Sequence, residues 1–597
     1  MSEVASKTVK SGAWLIEETD PAAVFVPEHM AEDEQQLGAV AEKFVVERVW
    51  PQREAIERQE PGVHKKLLQE AGELGFFMAD VPEEIGGAGL SKKACMRLAE
   101  KLGLAGSCAP AFIVQAGIGG LPVVYFGTPR QREKYLEGIM AGTIGTAYAL
   151  TETNSGSDAL AAKASARYDA ARKCYVLNGT KQFITNAGFA DLFIVFAKVD
   201  GDKFTCFIVE NGFPGVSTGP EEHKMGLKGS STRQLVLQDV PVPEENVLGE
   251  IGKGHRIAFN VLNIGRLKLA PAVVGGAKVS LREGMQYAKE RKQFGQALAS
   301  FPLIQHKLAG AAVRIYCAES MVYRTADLID QAIAGIRAGG EPDAARAAVL
   351  ALAELSVECS INKVFGSEVV DWVVDEMLQV YGGYGYVQDY PAEGRYRDAR
   401  INRIWEGTSE INRMLITGTL LERAMKGSIP LLPAVKKIAD DLMARRGLEE
   451  APGGPLGPEQ AAVANAKRMA LFSAGAAAQR YATDLDQQQE ILAWVADMLI
   501  WSFAMESALL RTLRLAGERT EPEMAARIAA VRMAVEIGSE QVENAARLVL
   551  AATAGGDELR SMLSMLKKLS RREPVDLAAA GRTVARYVME RDGYPFA

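Results

Sequence analysis

The sequence predicts a mostly helical α+β protein made of successive helical and β blocks, and three observations carry that prediction. Apolar residues recur at three-to-four spacing through residues 36–146. Short β-rich runs replace that spacing over 147–255. Helical spacing then returns over 256–428 and again over 459–597. At 597 residues the chain exceeds one compact core, so several domains are expected.

Residues 1–35 show no strong period and read as an extended N-terminal segment. In the first helical block Leu67, Leu68, Ala71 and Leu74, then Met96, Leu98 and Leu102, fall on helix faces. The character changes near Ala147. Cys174–Leu177, Leu192–Phe196 and Phe204–Val209 are short, β-branched or aromatic, and bounded by Gly, Asn and Asp, as in an antiparallel barrel or sandwich. The next block reads as a helical bundle, and residues 429–458 as an amphipathic segment and linker. The Ala-rich residues 459–597 resemble another bundle.

Composition narrows the class. A net charge of -7 argues against nucleic acid as a partner. Six scattered cysteines without a CxxC pair read as free thiols in a reducing compartment. Five histidines without HExxH spacing predict no metal site. No membrane-spanning run is expected. The first 47 residues lack arginine and carry several acids, unlike a secretory or transit peptide, so a cytoplasmic protein is expected.

There is no GxGxxG or GxxxxGK[ST] motif. One GxSxG, Gly215–Gly219, follows Pro214 in the β region with no histidine close in sequence, a poor setting for a nucleophilic serine. Four other segments are more informative. Ala149–Asp158 crowds Thr151, Gly156 and Ser157 into a turn that exposes hydroxyls and backbone N–H groups to a phosphate or polar ring edge. Phe183 and Thr185, two apart on a strand, can stack on and hydrogen-bond a flat heterocycle. In Glu290–Gln296 Arg291 can grip a phosphate, and the glycines of Gln379–Tyr386 permit close backbone approach. In Arg400–Glu410, finally, Glu406 sits between Ile404-Trp405 and Gly407. A carboxylate in that apolar setting is desolvated, its pKa rises toward neutrality, and it suits a base for a weakly acidic carbon-bound proton.

In this order and spacing the segments resemble the acyl-CoA dehydrogenase family, from about Ala39 to Lys426. Ala149–Ala161 fits the family's first signature. Gln379–Asp398 fits the second with one departure: Gly394 stands where Lys or Arg is usual, with Arg395 one place later. The extension after Gly427 and the stretch Asn260–Arg266 resemble the very-long-chain subgroup and its bacterial relatives.

The resemblance implies an N-terminal helical domain, a middle β-barrel domain and a C-terminal four-helix bundle with an extra helical domain. It implies FAD held by Tyr148, Leu150, Thr151, Gly156, Ser157, Phe183, Thr185, Thr408 and Glu410. Arg291, Phe294, Gln379 and Gly383 are implied to reach FAD in a neighbouring subunit, hence a homodimer. Ser157, Asn263, Arg266, Trp405 and Gly407 are implied to contact a fatty acyl-CoA. Glu406 is implied to take the α-proton while the β-hydride passes to the flavin, with the Glu406 N–H and a ribityl hydroxyl on the thioester oxygen. Relatives that carry the base on the helix before Arg266 use the position of Gly265, which cannot serve. The implied electron acceptor is an electron-transferring flavoprotein. An oxidase using oxygen, a non-catalytic assembly protein and a flavin monooxygenase on the same fold are the alternatives.

In the extension Leu431, Val435, Ile438 and Leu442 form one apolar stripe, with Lys436, Lys437, Arg445 and Arg446 nearby. Two readings follow: peripheral contact with a membrane, or packing on the protein itself.

Overall fold

The computed structural model describes residues 9–444 and 452–596. Helices Glu32–Phe44, Val63–Glu73, Lys92–Gly103 and Pro129–Met140 build the first block. The last starts with a capping box, in which Thr128 and Gln131 each accept from the other's backbone N–H.

The middle block is an eight-stranded sheet: β1 (Thr146–Ala149), β2 (Ser165–Asp169), β3 (Cys174–Thr185), β4 (Leu192–Val199), β5 (Lys203–Glu210), β6 (Val216–Thr218), β7 (Thr232–Pro243) and β8 (Val247–Leu248). The order is β6-β7-β3-β2-β4-β5-β8, with β1 also on β4. Most pairings are antiparallel as expected, but β1 and β2 both run parallel to β4. The continuous apolar run of β4 has a physical reason: both faces are covered. Leu192, Ile194 and Phe196 join the core of the helical block, while Phe193, Val195 and Ala197 join the sheet's own core. The GxSxG serine lies on strand β6, not at a strand-to-helix turn.

The bundle contains Gly254–Glu290, Pro302–Ala338, Ser356–Tyr381 and Ser409–Met425. Its apolar core runs unbroken into the extension, built from Gly457–Tyr481, Gln489–Arg514, Glu521–Thr553, Gly556–Leu569 and Leu577–Glu590. Contrary to the sequence reading, three helical stretches have the length and apolarity of a membrane span: Gly106–Phe126, Gly254–Glu290 and Gln489–Arg514. Each is largely buried in protein, as helices apolar on all sides are at the centre of a bundle.

Two further expectations change. From residue 9 onward, where it is described, the N-terminal segment is not simply extended: it forms short 3-10 turns, and Trp14 and Leu15 enter the core shared by the bundle and extension. There Glu28 meets Arg511 at 2.7 Å and Arg527 at 2.7 Å. Arg511 also reaches Glu319 at 2.6 Å, and both arginines donate to the Phe596 carbonyl. The 431–442 stripe, in turn, faces inward on helix Leu431–Met443. Leu431 and Leu442 are buried, Val435 and Ile438 pack on the core, and Val435 fills the space beside Gly475. The stripe therefore packs within the subunit and is not the membrane-facing surface weighed above. Arg445 and Arg446 lie outside the described residues.

Candidate active site

Glu406 follows a 3-10 turn (Arg400–Arg403) and precedes the helix Ser409–Met425, which Thr408 caps by accepting from the Ile411 N–H at 3.2 Å. Between the two, Glu406 and Gly407 both take positive φ, 54° and 79°. For a glutamate that conformation is uncommon and needs outside support. The carbonyls supply the anchor points. Arg266 Nε and Asn412 Nδ2 each donate to the Glu406 carbonyl at 3.3 Å. Asn412 and Lys363 each donate to the Gly407 carbonyl at 2.7 Å. Arg266 is fixed in turn by Asn263, whose Oδ1 accepts at 2.8 Å.

The Glu406 side chain enters a cavity. Its Oε2 is sealed from solvent and has no hydrogen-bond partner. Burial pushes the carboxyl up to about 7, against the opposing pull of Arg266 and Lys363. Burial also lowers Lys363 to about 8 despite the charge of Glu406. Gly265 lies directly opposite: a Cβ there would stand 2.1 Å from Oε2, so only glycine leaves room for this carboxylate. The cavity walls are mainly apolar, from Ala109, Ile113, Val114, Leu269, Val273 and Trp405, with Thr185 also in the lining. Trp405 is held by its indole N–H on Asn402 Oδ1 at 3.1 Å.

The remaining candidates fall into two groups. The first surrounds the loop after β1. Tyr148 is close enough for the charge of Glu406 to add to the burial that raises its hydroxyl's pKa. The fully buried Lys181 donates to the Leu150 carbonyl at 3.2 Å and to Glu152 at 2.7 Å. The Gln182 N–H donates to the Thr151 carbonyl at 2.9 Å, which ties β3 directly to the loop. Gly156 and Ser157 stay exposed on that loop. In β3 the register against β7 shifts between Lys181 and Ile184, and this bulge places Phe183 at φ 58° with 63% of its surface exposed.

The second group lies on the surface. Phe294 is 92% exposed, Arg291 stacks on the Tyr384 ring at 5.3 Å, and Gln379 and Gly383 are also on the outside. None of these four lines the Glu406 cavity of the same subunit. Glu410 is exposed at the start of the Ser409–Met425 helix.

Sequence reasoning missed Lys363, Asn412 and Lys181. Lys363 did carry a signal, as a lone cation between Ile361 and Phe365 in an apolar helical stretch.

Exposed Phe183, the hydroxyl-rich loop after β1 and open space around Gly156 fit a flat ring with a phosphate-bearing tail. A desolvated carboxylate in an apolar cavity, together with such a cradle, is the arrangement of an enzyme that sets a base beside a bound flat cofactor. The chain belongs to the acyl-CoA dehydrogenase family. Residues 31–143, 147–240 and 252–421 match its N-terminal, middle and C-terminal domains, and residues 465–568 match a further acyl-CoA dehydrogenase C-terminal domain. It is similar to a probable acyl-CoA dehydrogenase of Bacillus subtilis, 45% identical over the full length of both chains. A crystal structure of an acyl-CoA dehydrogenase complexed with FAD from Bacillus anthracis superimposes with a TM-score of 0.96 at 46% identity, covering 98% of this chain and 100% of that one. The very long-chain specific acyl-CoA dehydrogenase of Macaca fascicularis is 39% identical over 59% of this chain and 53% of its own. The protein is an oxidoreductase of this family, and FAD is its cofactor.

Proposed function

We propose that the protein oxidises fatty acyl-CoA thioesters to trans-2-enoyl-CoA, the first step of fatty acid β-oxidation, with Glu406 as the base. The observation that carries this reading is the unpartnered Glu406 Oε2, sealed in an apolar cavity with a pKa near 7. A free carboxylate is too weak a base for a thioester α-proton. Here desolvation raises its basicity, and the cavity keeps out water that would solvate the charge. Lys363, Asn412 and Arg266 hold the carbonyls of Glu406 and Gly407, which fixes the backbone on the C-terminal side of the base, and the Glu406 N–H is assigned to the thioester oxygen. Bound FAD supplies the two-electron acceptor for the β-hydride.

Phe183 and Thr185 are assigned to the flavin ring, and the 150–157 loop to its phosphates. The exposed Arg291, Phe294, Gln379 and Gly383 are assigned to FAD in a second subunit of a homodimer. The electron acceptor is assigned as an electron-transferring flavoprotein.

The deciding experiment is Glu406→Gln. The amide preserves shape and backbone, so FAD content should be retained while anaerobic flavin bleaching by acyl-CoA slows on the order of 10²–10⁴-fold. Near-normal bleaching would place the base elsewhere. Peroxide forming in step with turnover in air, at the rate seen with the flavoprotein acceptor, would make the enzyme an oxidase.

A further inference from the structure

The cavity that begins at Glu406 has a defined far end. Two of its walls run side by side from the base. On helix Gly254–Glu290 the lining passes from Gly265 to Ser280, about 22 Å at the helical rise of ~1.5 Å per residue. On the other, the chain runs back from Glu406 through Asn402 to Asp398 and Arg395.

At that end the apolar lining gives way to charge. Arg395 donates to Glu283 from Nη2 at 3.0 Å and from Nε at 3.3 Å. Asp398 accepts the Leu227 N–H. Behind them lies a second cavity of about 280 Å³, also lined by Trp50, Arg53 and Ile56. Gly106, Arg395 and Asp398 line both cavities. Gly106 makes room for the partition: a Cβ there would come within 2.9 Å of Arg395 Nη1. Gly394 puts no side chain into the second cavity.

We propose that Arg395, clamped by Glu283, is the length stop of the acyl channel, and that the chamber behind it takes the tail of longer chains once this pair is opened. The proposal rests on the acyl-CoA reading above. Methylenes added within the apolar channel tighten binding roughly three- to fourfold each. That gain stops where the methyl end meets a guanidinium whose carboxylate partner would have to be given up. At ~1.3 Å of extended chain per carbon, the wall of about 22 Å puts the stop at on the order of sixteen to eighteen carbons.

The test titrates FAD-loaded enzyme anaerobically with saturated straight-chain acyl-CoAs from C8 to C22 and reads the apparent Kd from flavin bleaching. Wild type should tighten with length and level off near the stop. The double variant Arg395→Ala with Glu283→Gln removes the bar together with the carboxylate that clamps it, while Asp398 keeps the Leu227 N–H and the charge of Arg397. It should move the plateau about two to four carbons longer and raise the C20-to-C14 affinity ratio at least about tenfold. Glu283→Gln alone preserves volume but loosens Arg395, and should shift the plateau the same way by less. It decides the matter if the double variant does not fold. Plateaus that coincide in wild type and variants overturn the length stop and leave the acyl-CoA reading standing. Failure of every acyl-CoA to bleach the flavin overturns both.

Discussion

Gly265→Ala separates the geometry of the base from the stability of the helix that faces it. The added Cβ would lie 2.1 Å from Glu406 Oε2 and 2.5 Å from its Cδ. Ordinary non-bonded contact is on the order of 3.5 Å, so the carboxylate must retreat by more than about 1 Å. A displacement of that size at a reacting group costs about 10²-fold in rate. Stability should move the other way. Gly265 lies inside the Gly254–Glu290 helix, where alanine is favoured over glycine by up to about 1 kcal/mol. The clashing group is the end of a flexible side chain, which can rotate without moving backbone. Stopped-flow flavin reduction beside thermal unfolding reads both effects. The expected result is a roughly 10²-fold slower reduction with an unchanged or higher Tm. Reduction at a near-normal rate would refute the placement of the base, and a fall in Tm would refute the separation of the two effects.

The Glu406 carboxyl at about 7 predicts that the rate of flavin reduction rises with pH through that value, because only the deprotonated base accepts the α-proton. Lys363 opposes the shift, so Lys363→Met should carry this acid limb to higher pH by on the order of one unit. A limb that stays in place would restrict Lys363 to holding the Gly407 carbonyl. Phe294→Asp should leave the subunit's unfolding free energy within about 0.5 kcal/mol, as its ring is 92% exposed, while FAD retention and the dimer are lost. A variant dimer with full FAD content would remove Phe294 from the shared site.

The regular elements were legible because local patterns set them. The runs Leu192–Phe196 and Phe204–Val209 are strands, and their lack of alternation records a sheet covered on both faces. The desolvation of Glu406 was legible because Trp405 and Gly407 flank it in sequence. Its partners were not. Lys363 lies on another helix, and nothing local says that its ammonium points at the Gly407 carbonyl. The stripe Leu431–Leu442 was read correctly as apolar, but Gly475, the residue that makes room for Val435, comes after a linker. Sequence periodicity shows that a face must be covered, not what covers it. The partition at Arg395 and Glu283 was hidden for the same reason, since the two residues are 112 positions apart.

The arginine cluster of the extension makes the segment Tyr594–Phe596 part of how the buried charges are satisfied by hydrogen bonds. Arg511 and Arg527 are each 1% exposed in their side chains, and both use the carbonyl of Phe596 as an acceptor. A polypeptide stopped short of Tyr594 would keep both cations in its interior and forfeit that acceptor, along with the Tyr594 hydroxyl that donates to Glu319 at 2.7 Å. Glu28, 483 positions before Arg511, engages the same two guanidinium groups. Excising the extension as a separate module would therefore strand carboxylates on one fragment and guanidiniums on the other. Arg527 would keep Glu523 and Glu319 would keep Lys278, but Arg511 and Glu28 would each lose the buried partners that the other piece supplies.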